Sequence, residues 1–313
     1  MMAERLDFEE FIKAIEIIIS EKLGCLYDVR LVNVIKNNGV NLWGLCIRLA
    51  NNSVVPTIYL NDYFKDYENN RCINEIVLDI LQVYNKSNKG IPSISNDFSW
   101  DSLQKNVVLR LVNYDMNKEV LEGVPHKIIF EDLAVTFHVL IGSNKDGIQS
   151  YGISNKLFNN FGITIEDLFK SALTNTMTYF NTSIRNMNEV ITSMIAFDNI
   201  DNEEYAELFD STAPEEGRGS MYVLSNNIGV YGATTMLYPD IIKEIAETME
   251  TDLYILPSSI HEVILVLDYG QDYNIKKLKD MVYDINRQVL RTDEILSDSV
   301  YIYRRSSGKI EKL

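Results

Sequence analysis

A chain of 313 residues, 46% hydrophobic and 24% charged, has the composition of an ordinary globular protein, with enough apolar material to bury a substantial core. Its 45 acidic residues against 29 basic ones leave a formal net charge of −16, which removes the electrostatic surplus that drives binding to nucleic-acid phosphates or anionic lipid. The three cysteines, Cys25, Cys46 and Cys72, form neither a CxxC pair nor an even-numbered disulfide framework, so zinc-knuckle and thioredoxin-type chemistry is excluded and a reducing compartment is expected.

Residues 1–10 carry acidic side chains where a secretory signal needs basic ones, and no apolar run reaches the roughly 20 residues of a membrane span. A cytoplasmic location follows as the expectation. Asp7 and Glu10 then form a capping box for a helix whose apolar residues (Phe8, Phe11, Ile12, Ile15, Ile18, Ile19) recur at helical spacing until Gly24. Two β-branched runs, 27–35 and 40–49, flank Asn38-Gly39, the strongest short hairpin signal because both positions favour positive φ. A third strand is expected over 54–60, where Pro56 suits an edge or a strand start. Helices follow near 62–67 and 73–84. Residues 87–97, rich in serine, glycine and asparagine, read as a loop and a possible sub-boundary.

A strand is expected at 106–113, a polar helical piece near 117–121, and a strand from Leu133 to Ile141 buried mainly on its odd-numbered face. Thr164 and Asp167 open a further short helix. Residues 198–219 hold eight carboxylates and one base, Arg218, a density of like charge that reads as a solvated linker. The expected domains are therefore an N-terminal α+β region (1–197), an acidic linker (198–219) and a C-terminal α+β sandwich (220–313). In the last, a hairpin over Asn226-Asn227, a helix from Pro239-Asp240, a second hairpin at 253–267, a helix over 274–289 and a strand at 300–303 give a two-layer ββαββα pattern. The fold class is α+β, with antiparallel sheets covered by amphipathic helices.

The densest chemistry is at the crest of the second hairpin, where Pro257, Ser258, Ser259, His261 and Glu262 separate two apolar runs. Ser258 or Ser259 as nucleophile, His261 as base and Glu262 as orienter, with His126 nearby, would make a hydrolase or acid/base enzyme. Against it, no Gly-x-Ser-x-Gly elbow supports the serines, and Leu265 stands where a zinc-protease helix needs a second histidine. The plainer reading is that the serines shape the turn and His261 satisfies a backbone group. His126, after Pro125, suits a structural hydrogen bond, and His138 lies mid-strand opposite the core face. Phosphate-loop and dinucleotide motifs are missing, Trp43 and Trp100 have no basic frame for base stacking, and no metal or cofactor is expected. A non-catalytic binding or regulatory protein, with a basic-faced protein as partner, is the favoured expectation. An acidic DNA mimic of a mobile element is a further alternative.

The segments Lys36–Val40, Thr57–Asn61, Val124-Pro125-His126, Asp132–Phe137, Met221–Leu224, Leu237-Tyr238-Pro239 and Leu253–Leu265 together resemble domain-of-unknown-function family 5688, uncharacterised bacterial proteins found mainly in Firmicutes. Leu296-Ser297-Asp298 with Val300-Tyr301 is similar to the family's closing motif, with Ser299 a departure. A histidine-containing stretch usual in the family near 148–152 is missing here. The resemblance implies a shared fold over nearly the whole chain and a cytoplasmic bacterial origin. It implies no substrate, cofactor or catalytic residue.

Overall fold

A computed structural model describes residues 5–49, 57–88, 97–144, 147–190, 221–257, 259–268 and 274–313. The chain divides into two compact units, Met1–Phe98 and Ser99–Leu313.

In the first unit, Asp7 and Glu10 form the expected capping box on helix α1 (Phe8–Leu23), and Gly24, at φ 77°, ends it. Strands β1 (Tyr27–Ile35) and β2 (Asn41–Leu49) pair antiparallel across Asn38 (φ 58°) and Gly39 (φ 71°), the conformation that the Asn-Gly sequence favours. Strand β3 (Thr57–Tyr59) adds to β2; the rest of the strand expected through Pro56 lies outside the described residues, as does 89–96 of the expected loop. Helices α2 (Asn61–Glu68) and α3 (Ile73–Asn88) follow. Phe11, Ile12, Ile15 and Ile19 of α1 and Ile76, Val77 and Ile80 of α3 close on one face of the sheet, Leu45, Ile47 and Ile58. Each such side chain contributes about 1.5–3 kcal/mol by leaving water.

The second unit holds two antiparallel sheets. Strands β4 (Val107–Asn113), β5 (His126–Ile129), β6 (Leu133–Asn144) and β7 (Gly147–Gly152) form one, with β4 on one flank of β6 and β5 and β7 sharing the other. Short helices α4 (Trp100–Leu103), α5 (Lys118–Glu122) and α6 (Asn155–Asn159) lie between elements, and α7 (Ile165–Tyr179) starts on the Thr164–Asp167 capping box. The other sheet runs in the order β13 (Lys309–Lys312), β12 (Tyr301–Arg304), β10 (Asp252–Leu256), β11 (Val263–Asp268), β9 (Met221–Asn226), β8 (Thr182–Asn186). Leu253, Ile255, Leu265 and Tyr301 on one of its faces share a core with Leu109, Leu111, Val135 and Phe137 of the four-stranded sheet and with α8 (Ile241–Thr248). Its opposite face, Tyr254, Leu256, Val266 and Ile302, is covered by Leu278, Met281 and Val282 of α9 (Ile275–Gln288). The fold is α+β with antiparallel sheets and covering helices.

Two expectations differ from the structure in detail. No hairpin forms over Asn226-Asn227. Instead the Asn226 side chain accepts the amides of Ile228 and Gly229 and donates to the Val230 carbonyl, so the chain turns away into the 3-10 segment Gly232–Leu237. Strand β9 takes β8 and β11 as its neighbours. The helix opened by Thr164 runs 15 residues rather than being short. The expected acidic linker, 198–219, lies outside the described residues; β8 and β9, on either side of it, pair in one sheet.

A buried carboxylate ties the far end of the chain to the four-stranded sheet. Asp132, just before β6, accepts from Ser297 Oγ (2.7 Å), Ser299 Oγ (2.9 Å) and Tyr301 Oη, with Lys312 Nζ at 3.4 Å. Burial pushes its carboxyl up, but the three hydroxyls and the lysine outweigh that and hold it below the usual carboxylate range. The Asn113 amide donates to the Leu296 carbonyl (2.9 Å) and Asn286 to Ser297 (2.9 Å), fixing the same segment from two further elements.

Candidate functional site

The crest between β10 and β11 is built by its own polar groups. Ser259 is buried, and its Oγ accepts the N–H of His261 (3.0 Å) and of Glu262 (3.2 Å), the turn that a serine favours at such a corner. Its backbone bridges to Ile295, and Ile260 N–H donates to the Glu294 carbonyl. Ser258 lies outside the described residues. The His261 carbonyl accepts from Ser225 Oγ (2.8 Å), and its ring Nδ1 accepts the Tyr231 N–H (3.3 Å). The proton of the neutral ring therefore sits on Nε2, which faces Glu294 Oε1 at 3.8 Å. Burial holds the imidazole below its ordinary range, opposed by the charges of Glu294 and Asp293. Glu262 is half-buried; burial pushes its carboxyl up, opposed by Arg185.

These placements bear on the described part of the crest, Ser259, His261 and Glu262. A serine–histidine relay needs a ring nitrogen on the serine oxygen. Here the Ser259 oxygen takes two amides, while the His261 nitrogens are directed to Tyr231 and Glu294. The structure brings Ser259, His261 and Glu262 together as a turn and not as a relay. His126 sits elsewhere, at the start of β5, with Nδ1 against the Val124 carbonyl (3.1 Å) and its ring near Tyr114. Among the described residues, no group of three or more His, Cys, Asp or Glu side chains is placed to hold a metal ion.

The crest leads instead to a residue that the sequence reading passed over. Tyr231, in the left-handed region at φ 53°, sets its ring 5.9 Å from the His261 ring and stacks over the Arg110 guanidinium at 3.7 Å. Arg110 lies on the even-numbered face of β4, opposite Thr136 of β6, and donates to Ser150 of β7. Thr136 in turn lies opposite His126, and its Oγ1 is 3.1 Å from His138 Nε2. Burial and the Arg110 charge hold His138 well below its ordinary range, so this imidazole is neutral. One face of the four-stranded sheet thus carries Arg110, Thr136, His126, His138 and Ser150, with Tyr231 as a cover. The signal in the sequence was the lone cation at 110 within an apolar strand, flanked on its own face by Val108 and Val112.

Arg110 is half-buried, and its guanidinium is held below its usual range by burial. Taking such a cation fully out of water costs several kcal/mol. Stacking on a desolvated aromatic returns about 2 kcal/mol, and one charged hydrogen bond about 1.5–3 kcal/mol. Among the described residues no carboxylate adds to these. Beside it is a small cavity of about 10 Å³, room for about one water, bounded by Val108, Ile148, Phe180, Val230, Tyr231 and Thr234 among others.

Among the described residues no helix is long and apolar enough to cross a membrane. No curated protein and no solved structure matches the chain. A family model does: residues 8–305, from the first turn of α1 to just beyond β12, match the Family of unknown function (DUF5688), and the chain belongs to that family.

Proposed function

We propose that the chain is a non-catalytic binding or regulatory protein that works inside a bacterial cell on a partner with a basic face. The observation that carries this reading is the commitment of the described crest: the Ser259 oxygen accepts two backbone amides and the His261 Nδ1 a third, so no ring nitrogen of His261 is turned to Ser259. The net charge of −16 supports a basic partner, because complementary charge steers encounter. Free Cys25 and Cys72, both exposed, and half-buried Cys46 support a reducing compartment.

The test is retention from native-host extract on the immobilised chain at low and then rising salt. A basic protein released as salt rises supports the reading; nothing retained at low salt overturns it. Competition by duplex DNA for the retained protein separates a DNA-mimic role from other modes of binding. The hydrolytic alternative, with Ser258 or Ser259, His261 and Glu262, requires an activity in a substrate screen that His261→Ala abolishes while thermal stability is unchanged.

A further inference from the structure

We propose that His261 is an acid-sensitive latch, which holds the Tyr231 segment on the crest while its ring is neutral and releases it when the ring takes up a proton. The latch is independent of the partner-binding reading above. Among the described residues, three bonds join residues 225–233 to the crest. Ser225 Oγ donates to the His261 carbonyl (2.8 Å), Ala233 N–H to the Ile260 carbonyl (3.2 Å), and Tyr231 N–H to His261 Nδ1 (3.3 Å). Only the last depends on a group that titrates near neutrality. An imidazolium carries hydrogen on both nitrogens and accepts nothing, so a proton on Nδ1 sets one N–H against another. The charged ring also has a partner to move towards. Its Nε2 faces Glu294 Oε1 at 3.8 Å, and the two side chains are 30% and 32% exposed, so water can deliver the proton.

The surroundings fix the sign. The charged and titratable groups around the ring are Asp293 and Glu294 from the 3-10 turn Thr292–Glu294, Glu262 beside it on the crest, and Tyr231 across from it. The Arg110 cation of β4 lies beyond the Tyr231 ring, and Arg185 of β8 acts on Glu262. Burial of the ring opposes its charge more than Glu294 and Asp293 favour it, so the latched state prefers the neutral form. Once out of that site the ring regains the roughly 6.5 of a free histidine. The latch is therefore complete above about pH 6.5 and weakens as pH falls towards the latched value, because the released state binds the proton more tightly. Tyr231 sits at φ 53°, a conformation that a residue with a β-carbon keeps only while its neighbours impose it. Its ring also covers Arg110 at 3.7 Å, so release at the crest is felt at β4 of the four-stranded sheet.

The test follows amide hydrogen exchange in the full chain between about pH 7.5 and 5, with each rate corrected for its intrinsic pH dependence. Ile255, in the middle of β10, reports opening of the whole unit. Protection of the Tyr231 amide should fall by up to about tenfold for each pH unit below about 6.5, while Ile255 loses less. His261→Gln keeps an acceptor for the amide and gains no proton, so Tyr231 protection should stay level. Glu294→Gln removes a charge that favours the imidazolium and should move the fall to lower pH. Should the His261 variant fail to fold, the unaltered chain and Glu294→Gln decide. Tyr231 protection that stays level or only tracks Ile255 in the unaltered chain would overturn the proposal. So would the same fall in His261→Gln, or a fall in Glu294→Gln that is unmoved or comes at higher pH.

Discussion

Gly232 has no room for a β-carbon: one built there would overlap Ser225 Oγ and come within 2.7 Å of Asn226 N and 2.5 Å of the His261 carbonyl. Two of these neighbours are backbone, so they cannot swing aside. Gly232→Ala is therefore expected to cost about 1–3 kcal/mol in urea unfolding, although the substitution is otherwise mild and the position has ordinary negative φ. His261→Ala removes the acceptor of the Tyr231 amide and should cost about 1–3 kcal/mol for the same reason that any buried unpaired donor does; an unchanged melting temperature would contradict the structural role given to this ring. His138 makes a pH prediction. Its folded pKa lies well below the roughly 6.5 of an unfolded histidine, so the unfolded chain binds the proton first. Its contribution is complete above about pH 6.5 and declines as pH falls towards the folded value. His138→Gln, which can still bond Thr136, should flatten the stability–pH curve below about pH 6.5 when melting is followed across that range.

At the scale of elements, the Asp132 clasp joins the start of β6 to the segment leading into β12, and Asp132→Ala strands three hydroxyls that now donate to it. A loss of roughly 3 kcal/mol or more is expected in equilibrium unfolding, with Ser299→Ala far milder because Ser297 and Tyr301 remain. Elements with local signals were legible in the sequence: the capping boxes at Asp7 and Thr164, the Asn38-Gly39 turn, and the alternation of Leu133 to Val139 each name their structure from a few neighbouring residues. What could not be read depended on distant partners. Strand β8 is a polar run, Thr182-Ser-Ile-Arg-Asn186, that becomes a strand only because β9 lies beside it. The turn at Asn226 was misread as a hairpin because its Asn-Asn sequence permits either, and the choice is made by side-chain bonds to Ile228, Gly229 and Val230. At the candidate site, the crest residues stood out for their chemistry, but their partners Tyr231 and Glu294 lie 30 and 33 positions away in sequence. Arg110 was hidden for the same reason.

For the molecule as a whole, the pairing of β8 with β9 and the Asp132 clasp imply that the backbone between 191 and 220 can be cut without separating the pieces. A chain nicked there by limited proteolysis should elute as one species from a sizing column and resolve into two fragments only on a denaturing gel. Fragments that part under native conditions would show that the sheet and clasp are too weak to hold. Because residues 99–313 contain both sheets of their unit and the cores between and over them, that segment expressed alone should unfold in a single cooperative transition.

The clasp also has a consequence during synthesis. The Asp132 carboxylate and the hydroxyl of Ser297 are 165 positions apart. At about 5–20 residues per second, a nascent chain carries that carboxylate for about ten to thirty seconds before its acceptor site can be filled. The order β13-β12-β10-β11-β9-β8 compounds the delay, since the strand next to β10 on that side is among the last to leave the ribosome. The first unit, whose β1–β2 hairpin and helices are near neighbours in sequence, can close while the rest is still being made. For the second unit, translation stalled before Tyr301 leaves Leu253 and Ile255 in a sheet without its flanking strand, an apolar edge that a chaperone would meet before any partner does.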